Sequence, residues 1–197
     1  GFHGKKQPKS IGEYTGQSIQ FYNSKAIDTG FWINVIWKPV TRAFLIQDKY
    51  EARLANDDDC EEILAWRNDI VTRNNSPNSD FISREDHTNW FSKIQRSKIS
   101  VIIILLFNDD KIGMVRYDCI NKSSIISINI NPVKRGMGYS TKILIESEIF
   151  LRNNSNFPYP LIANILKENE FSIRSFRKAG YQLESENDTY YRYLKNR

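Results

Sequence analysis

The sequence predicts a mixed α/β fold (α+β, with a mixed sheet) whose elements follow the order β-α-α-β-β-β-α-β-α-β-β. Three apolar segments, residues 99–107, 111–119 and 125–130, are separated by the turn sequences NDDK and NKSS, which is typical of an antiparallel meander. A glycine turn, "RGMGYS", follows the third segment and opens a periodic apolar segment that ends near Leu151. A later periodic segment stops before Gly180, a residue that suits the first position beyond a helix.

The remaining elements follow from capping residues and short apolar runs. "YEARLA" predicts a short strand, and "NDDDCEEILAWRND" predicts one helix with acidic residues in its first turn. Ser83, with Asp86 three residues later, has the pattern of a capping box and predicts a second helix. Residues 161–166 predict a buried strand, residues 169–179 a helix, and "YQLE" and "TYYRYL" two closing strands.

The chain divides into an extension and a domain. Its 197 residues, 40% of them apolar and 13% aromatic, suit one domain of ordinary size with an appendage. Residues 1–45 are basic and then strongly aromatic, and "FWINVIWK" alternates like a strand. We expect residues 1–45 to form an N-terminal extension of unknown role, or the remnant of a preceding domain, and residues 46–197 to form the main domain.

Composition excludes several classes of protein. The net charge of +5 is spread along the chain among acidic residues, whereas nucleic-acid binders concentrate it, so it indicates an anionic small ligand or a solvated basic surface. Cys60 and Cys119 form no disulfide or metal pattern, which favours a reducing, cytoplasmic location and no metal. The longest apolar run, residues 101–107, is too short to span a membrane.

The glycine turn predicts an anion-binding site. Gly136 and Gly138 can adopt positive φ, and they carry no side chain that would keep a ligand from the backbone. Successive N–H groups that open onto a helix N-terminus bind phosphate oxygens. The loop lacks the Gly-Lys-Ser/Thr of a Walker motif and the third glycine of a dinucleotide fingerprint. A plain tight turn is the alternative.

Two motifs in order resemble the GNAT acetyltransferase superfamily. Its phosphate loop, Arg/Gln-x-x-Gly-x-Gly/Ala, is matched by Arg135, Gly138 and Ser140, although Ser140 departs from the usual Gly or Ala. Its second element, Asn-x-x-Ser followed by an aromatic residue, Lys and Gly-aromatic, is matched within "NEFSIRSFRKAGY". The resemblance covers roughly residues 50–194 and implies a GNAT fold with splayed central strands.

The resemblance also implies a co-substrate, acetyl-CoA. Amides of the glycine loop would hold its pyrophosphate, the edge of the third meander strand would pair with its pantetheine, and Asn169 would contact the same arm. The residues implied for cofactor binding are Ile130, Val133, Arg135, Gly136, Met137, Gly138, Tyr139, Ser140, Asn169, Ser172 and Phe176.

The usual catalytic carboxylate and tyrosine of this superfamily are missing. The strand that often carries a glutamate base is "SSIISINI", and the position that often holds a tyrosine acid is Phe176. The candidates that remain are Asp118, His87 and Ser172. A surface histidine, a turn aspartate and a helix-capping serine are the respective alternatives, and a water-relayed proton transfer needs none of them.

The acceptor region resembles enzymes that acetylate nucleotide-linked amino sugars, as in pseudaminic-acid and flagellin-glycan pathways. The resemblance rests on "AWRND", "NNSPNSDFIS" and "HTNWF", and the implied acceptor-binding residues are Trp66, Arg67, Asn68, His87 and Trp90. Core aromatics and a surface arginine are the alternatives.

We therefore expect an N-acetyltransferase that acts on a small-molecule amine, preferably an amino sugar on a nucleotide. Ribosomal-protein or small-amine acetylation and a non-catalytic acyl-CoA-binding module are the alternatives. Oligomerisation, or fusion to another sugar-modifying domain, is compatible with the sequence.

Overall fold

The computed structural model of the protein describes residues 49–197. Seven strands form one sheet in the order β1-β2-β3-β4-β5-β7-β6. The strands are β1 (Tyr50–Leu54), β2 (Ser100–Phe107), β3 (Asp110–Ile120), β4 (Ser123–Ile130), β5 (Leu161–Leu166), β6 (Gln182–Glu186) and β7 (Tyr190–Lys195). The helices are α1 (Cys60–Asn68), α2 (Ile70–Asn74), α3 (Arg84–Gln95), α4 (Tyr139–Asn154) and α5 (Glu170–Lys178). The mixed α/β fold is confirmed.

The meander forms as predicted, and its turns have the conformation that hairpins prefer. β2, β3 and β4 pair antiparallel in sequence order. Both connecting turns contain two consecutive residues with positive φ, Asn108–Asp109 and Asn121–Lys122. Two-residue turns of this kind match the right-handed twist of the strands, and Asn and Asp tolerate them best.

Helices cover both faces of the sheet. Ile143 of α4 packs with Val115 of β3 in one apolar core. Ile63 of α1 and Met114, the neighbour of Val115, belong to the opposite core, which α3 also covers. Because successive side chains of a strand point to opposite faces, β3 contributes to both layers.

The first predicted helix, residues 56–69, is a 3-10 turn followed by α1, and α2 is an additional helix beyond it. A 3-10 turn at Asp57–Asp59 precedes α1, and α2 follows α1 directly. Asp69 ends α1 because its ψ of 136° is not helical, and its side chain accepts hydrogen bonds from the amides of Val71 and Thr72. The prediction missed α2 because Asp69 ends α1 and caps α2 at the same time. The Ser83 cap is confirmed, since its side chain accepts a hydrogen bond from the amide of Asp86.

The two central parallel strands separate soon after they meet. β4 and β5 pair only at Ser124 with Leu161 and at Ile125 with Ile162. Beyond these pairs, the rest of β4 and residues 163–166 of β5 have no partner across the gap. The sheet therefore opens into a cleft that widens toward the glycine loop at the end of β4.

Some expectations concern residues outside this range. The expected strand in "FWINVIWK" and the expected boundary at residues 45/46 lie outside the described residues. None of the helices within residues 49–197 is long and apolar enough to cross a membrane.

Candidate active site

The glycine loop presents unpartnered backbone amides. Gly136 and Gly138 have φ values of 76° and 80°. Among the described residues, none accepts a hydrogen bond from the amides of Gly136, Met137 or Gly138. The next two amides belong to the first turn of α4, where intrahelical acceptors do not exist, and no side chain caps this end. The loop and helix dipole thus form a cradle for an anion such as pyrophosphate.

The cradle is open as well as unpartnered. A Cβ atom built on Gly136 or Gly138 meets no protein atom within 4 Å. The side chains of Val133 and Met137 are exposed beside it. A ligand can therefore approach the loop amides from solvent.

The open edge of β4 offers amides to the same ligand. Ser124 donates its amide to Pro160 on the β5 side, and alternation along the strand directs the amides of Ile128 and Ile130 to that side too. No residue of β5 pairs with β4 at these positions. These two amides can pair with an extended chain in the cleft or donate to an oxyanion formed there.

The second motif contributes the start of α5. Asn169 caps this helix, because its side-chain oxygen accepts a hydrogen bond from the amide of Ser172. Ser172 is half-buried, and its hydroxyl has no hydrogen-bond partner among the described residues. Phe176 is buried in the core and packs edge-on against Tyr181. The side-chain nitrogen of Asn169 and the hydroxyl of Ser172 remain available to a ligand, whereas Phe176 is covered by protein.

His87 is a buried residue of α3. Its Nε2 donates a hydrogen bond to the carbonyl of Cys60 at 3.0 Å, and its ring lies against Trp90. Burial lowers the pKa of His87, although the Cys60 hydrogen bond opposes this shift. The position favours a structural role over catalysis or acceptor binding.

The pH dependence of stability tests this role of His87. Because the pKa of His87 is lower in the folded than in the unfolded protein, its contribution to the free energy of unfolding is present above about pH 6.5. This contribution is lost as the pH falls through the folded pKa. We expect His87→Gln, which can keep the hydrogen bond, to lose less stability between pH 7 and 5 than the wild type does in denaturant unfolding. Equal losses in both proteins would contradict the assignment.

Asp118 is held by a neighbouring arginine. Its carboxylate accepts a hydrogen bond from Arg116 at 2.8 Å. It lies opposite Ile125 of β4, at the closed end of the cleft. Asp118 is thus away from the open edge of β4, where the Ile128 and Ile130 amides lie.

The predicted tryptophans pack against protein. Trp66 is 4% exposed and belongs to the core beneath α1 and α3. Trp90 is half-buried, and the guanidinium of Arg116 lies 5.6 Å from its ring centroid. The ring faces of Trp66 are covered, so its burial favours the core-aromatic alternative.

Two arginines at the α1–α2 corner have unsatisfied nitrogens. Arg67 donates from Nη2 to the carbonyl of Asn78 at 2.7 Å, while its Nη1 is buried without a partner in the part of the chain described. The Nε of Arg73 is likewise buried without a partner among the described residues. Burial lowers the pKa of Arg67, the charge of Arg73 lowers it further, and Asp80 opposes both. Such a pair favours an anion.

Asn68 organises the loop beside this corner. Its side chain donates to the carbonyl of Ile82 at 2.8 Å and accepts from the Ile82 amide at 2.9 Å. These two bonds fix the end of the loop that follows α2. Asn68 therefore fixes this loop through its backbone, and its side-chain amide group is already engaged.

A groove of about 480 Å³ lies between this loop and the second half of the sheet. Its walls include Pro77, Asn164 of β5, and Tyr190 and Arg192 of β7. Asn164 is exposed and lies in the part of β5 that has left β4. The groove thus borders the cleft from the side opposite α4.

Sequence reasoning missed Arg73 and the groove residues Asn164 and Arg192. Arg73 lies in a helix that was not predicted, and Asn164 is a polar residue in an otherwise apolar strand. The interruption of "LIANIL" was a usable signal for Asn164, since a buried strand rarely admits an unpaired amide.

A family model agrees with this geometry. The model described as "Acetyltransferase (GNAT) domain" matches residues 51–182. No curated protein sequence matches this chain significantly. The match spans both the α1–α2 corner and the glycine loop.

Several solved structures share the fold. Campylobacter jejuni N-acetyltransferase PseH in complex with acetyl coenzyme A has a TM-score of 0.57 and 17% identity, over 75% of this chain and 98% of that one. Brucella melitensis ribosomal-protein-alanine N-acetyltransferase has a TM-score of 0.63 and 20% identity, over 74% of this chain and 98% of that one. Vibrio cholerae spermidine N-acetyltransferase in complex with CoA and spermine has a TM-score of 0.62 and 14% identity, over 74% of this chain and 93% of that one.

The chemistry of the residues fits the co-substrate. Unpartnered loop amides, an open strand edge and a cleft between β4 and β5 provide for a diphosphate, an extended amide-bearing arm and a thioester. The GNAT match over residues 51–182 and this geometry lead to one conclusion: the chain belongs to the GNAT acetyltransferase family and is an N-acetyltransferase with acetyl-CoA as co-substrate.

Proposed function

We propose that the acceptor is a primary amine of an amino sugar carried on a nucleotide. The observation that carries the proposal is the pair of guanidinium groups at the α1–α2 corner. Arg67 and Arg73 each keep a buried nitrogen without a partner in the described range, and burial together with the Arg73 charge lowers the pKa of Arg67. A phosphate oxygen bound between them relieves this repulsion and satisfies both donors.

The same charges disfavour polycationic acceptors. Spermine bears several ammonium groups, and the two partly desolvated guanidiniums at the α1–α2 corner repel them. The groove carboxylate Glu186 is paired with Lys167 at 3.3 Å, and Arg192 is paired with Glu184 at 2.5 Å. The electrostatics therefore support an anionic acceptor over a polyamine.

The proposed reaction is direct transfer without an enzyme-bound intermediate. The amine nitrogen attacks the thioester carbon, the C–S bond breaks, the amine loses a proton and the thiolate of CoA takes one up. Amides of Ile128 or Ile130 stabilise the oxyanion, and water relays the amine proton because β4 carries no carboxylate. Ser172 is the remaining side-chain candidate for proton transfer near the cleft.

An acceptor screen tests the proposal. Full-length protein is incubated with acetyl-CoA and, separately, with a UDP-linked amino sugar, the free amino sugar, spermine, kanamycin and an alanine-terminated peptide, and thiol release is measured. We expect turnover with the UDP-linked acceptor and inhibition by UDP that is competitive with the acceptor. Turnover confined to spermine, kanamycin or the peptide would overturn the acceptor class while leaving the enzyme class in place.

Removal of the Arg73 guanidinium should weaken acceptor binding selectively. A hydrogen bond between charged groups contributes about 1.5–3 kcal/mol, so we expect Arg73→Ala to raise the KM for the UDP-linked acceptor about 10- to 100-fold, with kcat nearly unchanged. Arg84→Ala is the matched control, because Arg84 is an exposed arginine paired with Glu61. An equal KM in both variants would contradict an anion site at Arg73.

A further inference from the structure

We propose that Arg135 is a positioning residue that couples acetyl-CoA binding to the acceptor wall. The inference rests on the proposed placement of the acceptor at the α1–α2 corner. Arg135 directly precedes the glycine loop, and its guanidinium turns toward α2. The cofactor loop and the acceptor wall are thus joined by one side chain.

The contacts of Arg135 form a short chain of hydrogen bonds. Its Nη1 lies 2.6 Å from Oδ1 of Asp69, and its Nη2 donates to the hydroxyl of Thr72 at 2.6 Å. Thr72 in turn donates to Oδ1 of Asn129 at 3.3 Å. Asn129 lies on β4 beyond the last pair with β5. One guanidinium therefore connects the loop to α2 and, through Thr72, to the part of β4 that has separated from β5.

Asp69 serves two purposes at once. Its Oδ1 caps α2 by accepting from the amides of Val71 and Thr72, and the same carboxylate pairs with Arg135. Its pKa is lowered in the fold: burial opposes the shift, but the Thr72 amide and Arg135 outweigh it. The ion pair and the cap of α2 consequently depend on one carboxylate.

Among the described residues 49–197, few other contacts hold α2 in place. The helix has five residues, none of them buried. A helix this short is not stable by itself and needs tertiary contacts. Segments with few buried apolar contacts open at low free energy, so the Asp69 and Thr72 contacts with Arg135 have a large share in fixing the helix.

A ligand on the loop therefore acts on α2. Two glycines with positive φ, Gly136 and Gly138, give the loop backbone freedom that a bound diphosphate removes. Fixing the loop fixes the backbone that carries Arg135, and with it the hydrogen bonds to α2. Arg73, next to Thr72, then takes its position beside Arg67. We expect bound acetyl-CoA to tighten acceptor binding on the order of tenfold. By linkage, bound acceptor tightens acetyl-CoA binding by the same factor.

Hydrogen exchange measures this coupling without the acceptor. The full-length protein is compared with and without CoA in the wild type and in Asp69→Asn, which can keep the cap but loses the ion pair. We expect CoA to slow exchange in residues 136–142 of both proteins and in residues 70–75 of the wild type alone. Thr72→Val should reduce the α2 response as well.

Asp110→Asn is the matched control. Lys134, the neighbour of Arg135, pairs with Asp110 at 2.5 Å, so this variant removes an adjacent ion pair that does not involve α2. Its α2 response to CoA should equal that of the wild type. Kinetically, Asp69→Asn should raise the acceptor KM about tenfold while the acetyl-CoA dissociation constant measured without acceptor is unchanged.

The outcomes separate the two proposals. CoA protection at residues 136–142 without any at α2 in the wild type overturns the coupling and leaves the acceptor class standing. Equal α2 protection in the wild type and Asp69→Asn also overturns it. No protection at residues 136–142 overturns the coupling through its premise, the placement of the pyrophosphate. If only the acceptor screen fails, while hydrogen exchange gives the expected result, the proposed acceptor class is overturned and the coupling stands.

Discussion

Gly138→Trp is expected to abolish acetyl-CoA binding while the domain stays folded. Gly138 has φ 80° and precedes α4, and a Cβ there meets no protein atom within 4 Å. The indole would thus extend into the open space in front of the loop amides, where we expect the pyrophosphate to bind. A non-glycine residue in this left-handed conformation costs about 1–2 kcal/mol, which a domain of this size tolerates. Calorimetric titration with acetyl-CoA should show affinity reduced at least about 100-fold.

Gly180→Trp separates cofactor loss from backbone strain. Gly180 has φ 91°, follows α5, and its nearest atom for an added Cβ is the end of the Lys195 side chain at 3.4 Å. The variant has the same bulk and a comparable strain, but it lies outside the glycine loop. Both variants should unfold at similar temperatures, and only Gly138→Trp should fail to bind. Undiminished binding by Gly138→Trp would refute the placement of the pyrophosphate.

Asp59→Asn is expected to lower the free energy of unfolding by about 3 kcal/mol. The Asp59 carboxylate is 1% exposed and pairs with Arg53 at 2.6 Å and Lys111 at 2.7 Å. It also accepts a hydrogen bond from the amide of Asn56. Removing its charge leaves two partly buried cations at the junction of β1, α1 and β3 without their shared partner. Denaturant unfolding at pH 7 measures the loss.

Glu62→Gln is the control for Asp59. Glu62 is the other partner of Lys111, at 2.9 Å, and its side chain is 38% exposed. Pairs with this much solvent contribute about 0–1 kcal/mol, so the variant should change stability little. Equal effects of the two substitutions would show that burial of Asp59 does not strengthen its ion pairs.

Acid should reduce the difference in stability between the wild type and Asp59→Asn. Burial raises the pKa of Asp59, but hydrogen bonds from Arg53 and Lys111 outweigh it and hold the pKa well below its usual range. A lowered folded-state pKa means that the stabilisation is present above the unfolded value of about 3.9 and is lost as the pH falls through the folded pKa. The difference in stability between the two proteins should therefore shrink below pH 4.

Local signals predicted the elements that contain their own start and stop residues. The bounds 161–166 of β5 and the Ser83 cap of α3 agree with the sequence, as does Gly180 after α5. The predicted end of α1 at Asp69 agrees with the structure, but α2 was missed, because Asp69 ends one helix and caps the next and neither role is unique to its residue type. Patterns of three to five neighbours suffice where one residue has one structural role.

The candidate site also contains residues whose environment the sequence predicts and residues whose environment it does not. The glycine loop was recognisable because positive φ and open access both demand glycine at Gly136 and Gly138. The burial of Trp66 could not be recognised from the sequence, since tryptophan is common both in cores and in binding sites. The structure buries this α1 side chain against α3 and the sheet. His87 is similar, since its burial against the Cys60 carbonyl depends on how α1 packs on α3.

The sequence by itself determined the strand order along the chain, the helix caps and a loop with free amides, because each depends on φ, ψ and hydrogen bonds among adjacent residues. Only the tertiary structure decided which distant residues meet. Arg135 reaches Thr72 from 63 positions away, and Arg67 faces Arg73 across a corner that Asp69 creates. Such contacts depend on packing between elements, and packing is a property of the whole core that no short stretch of residues contains.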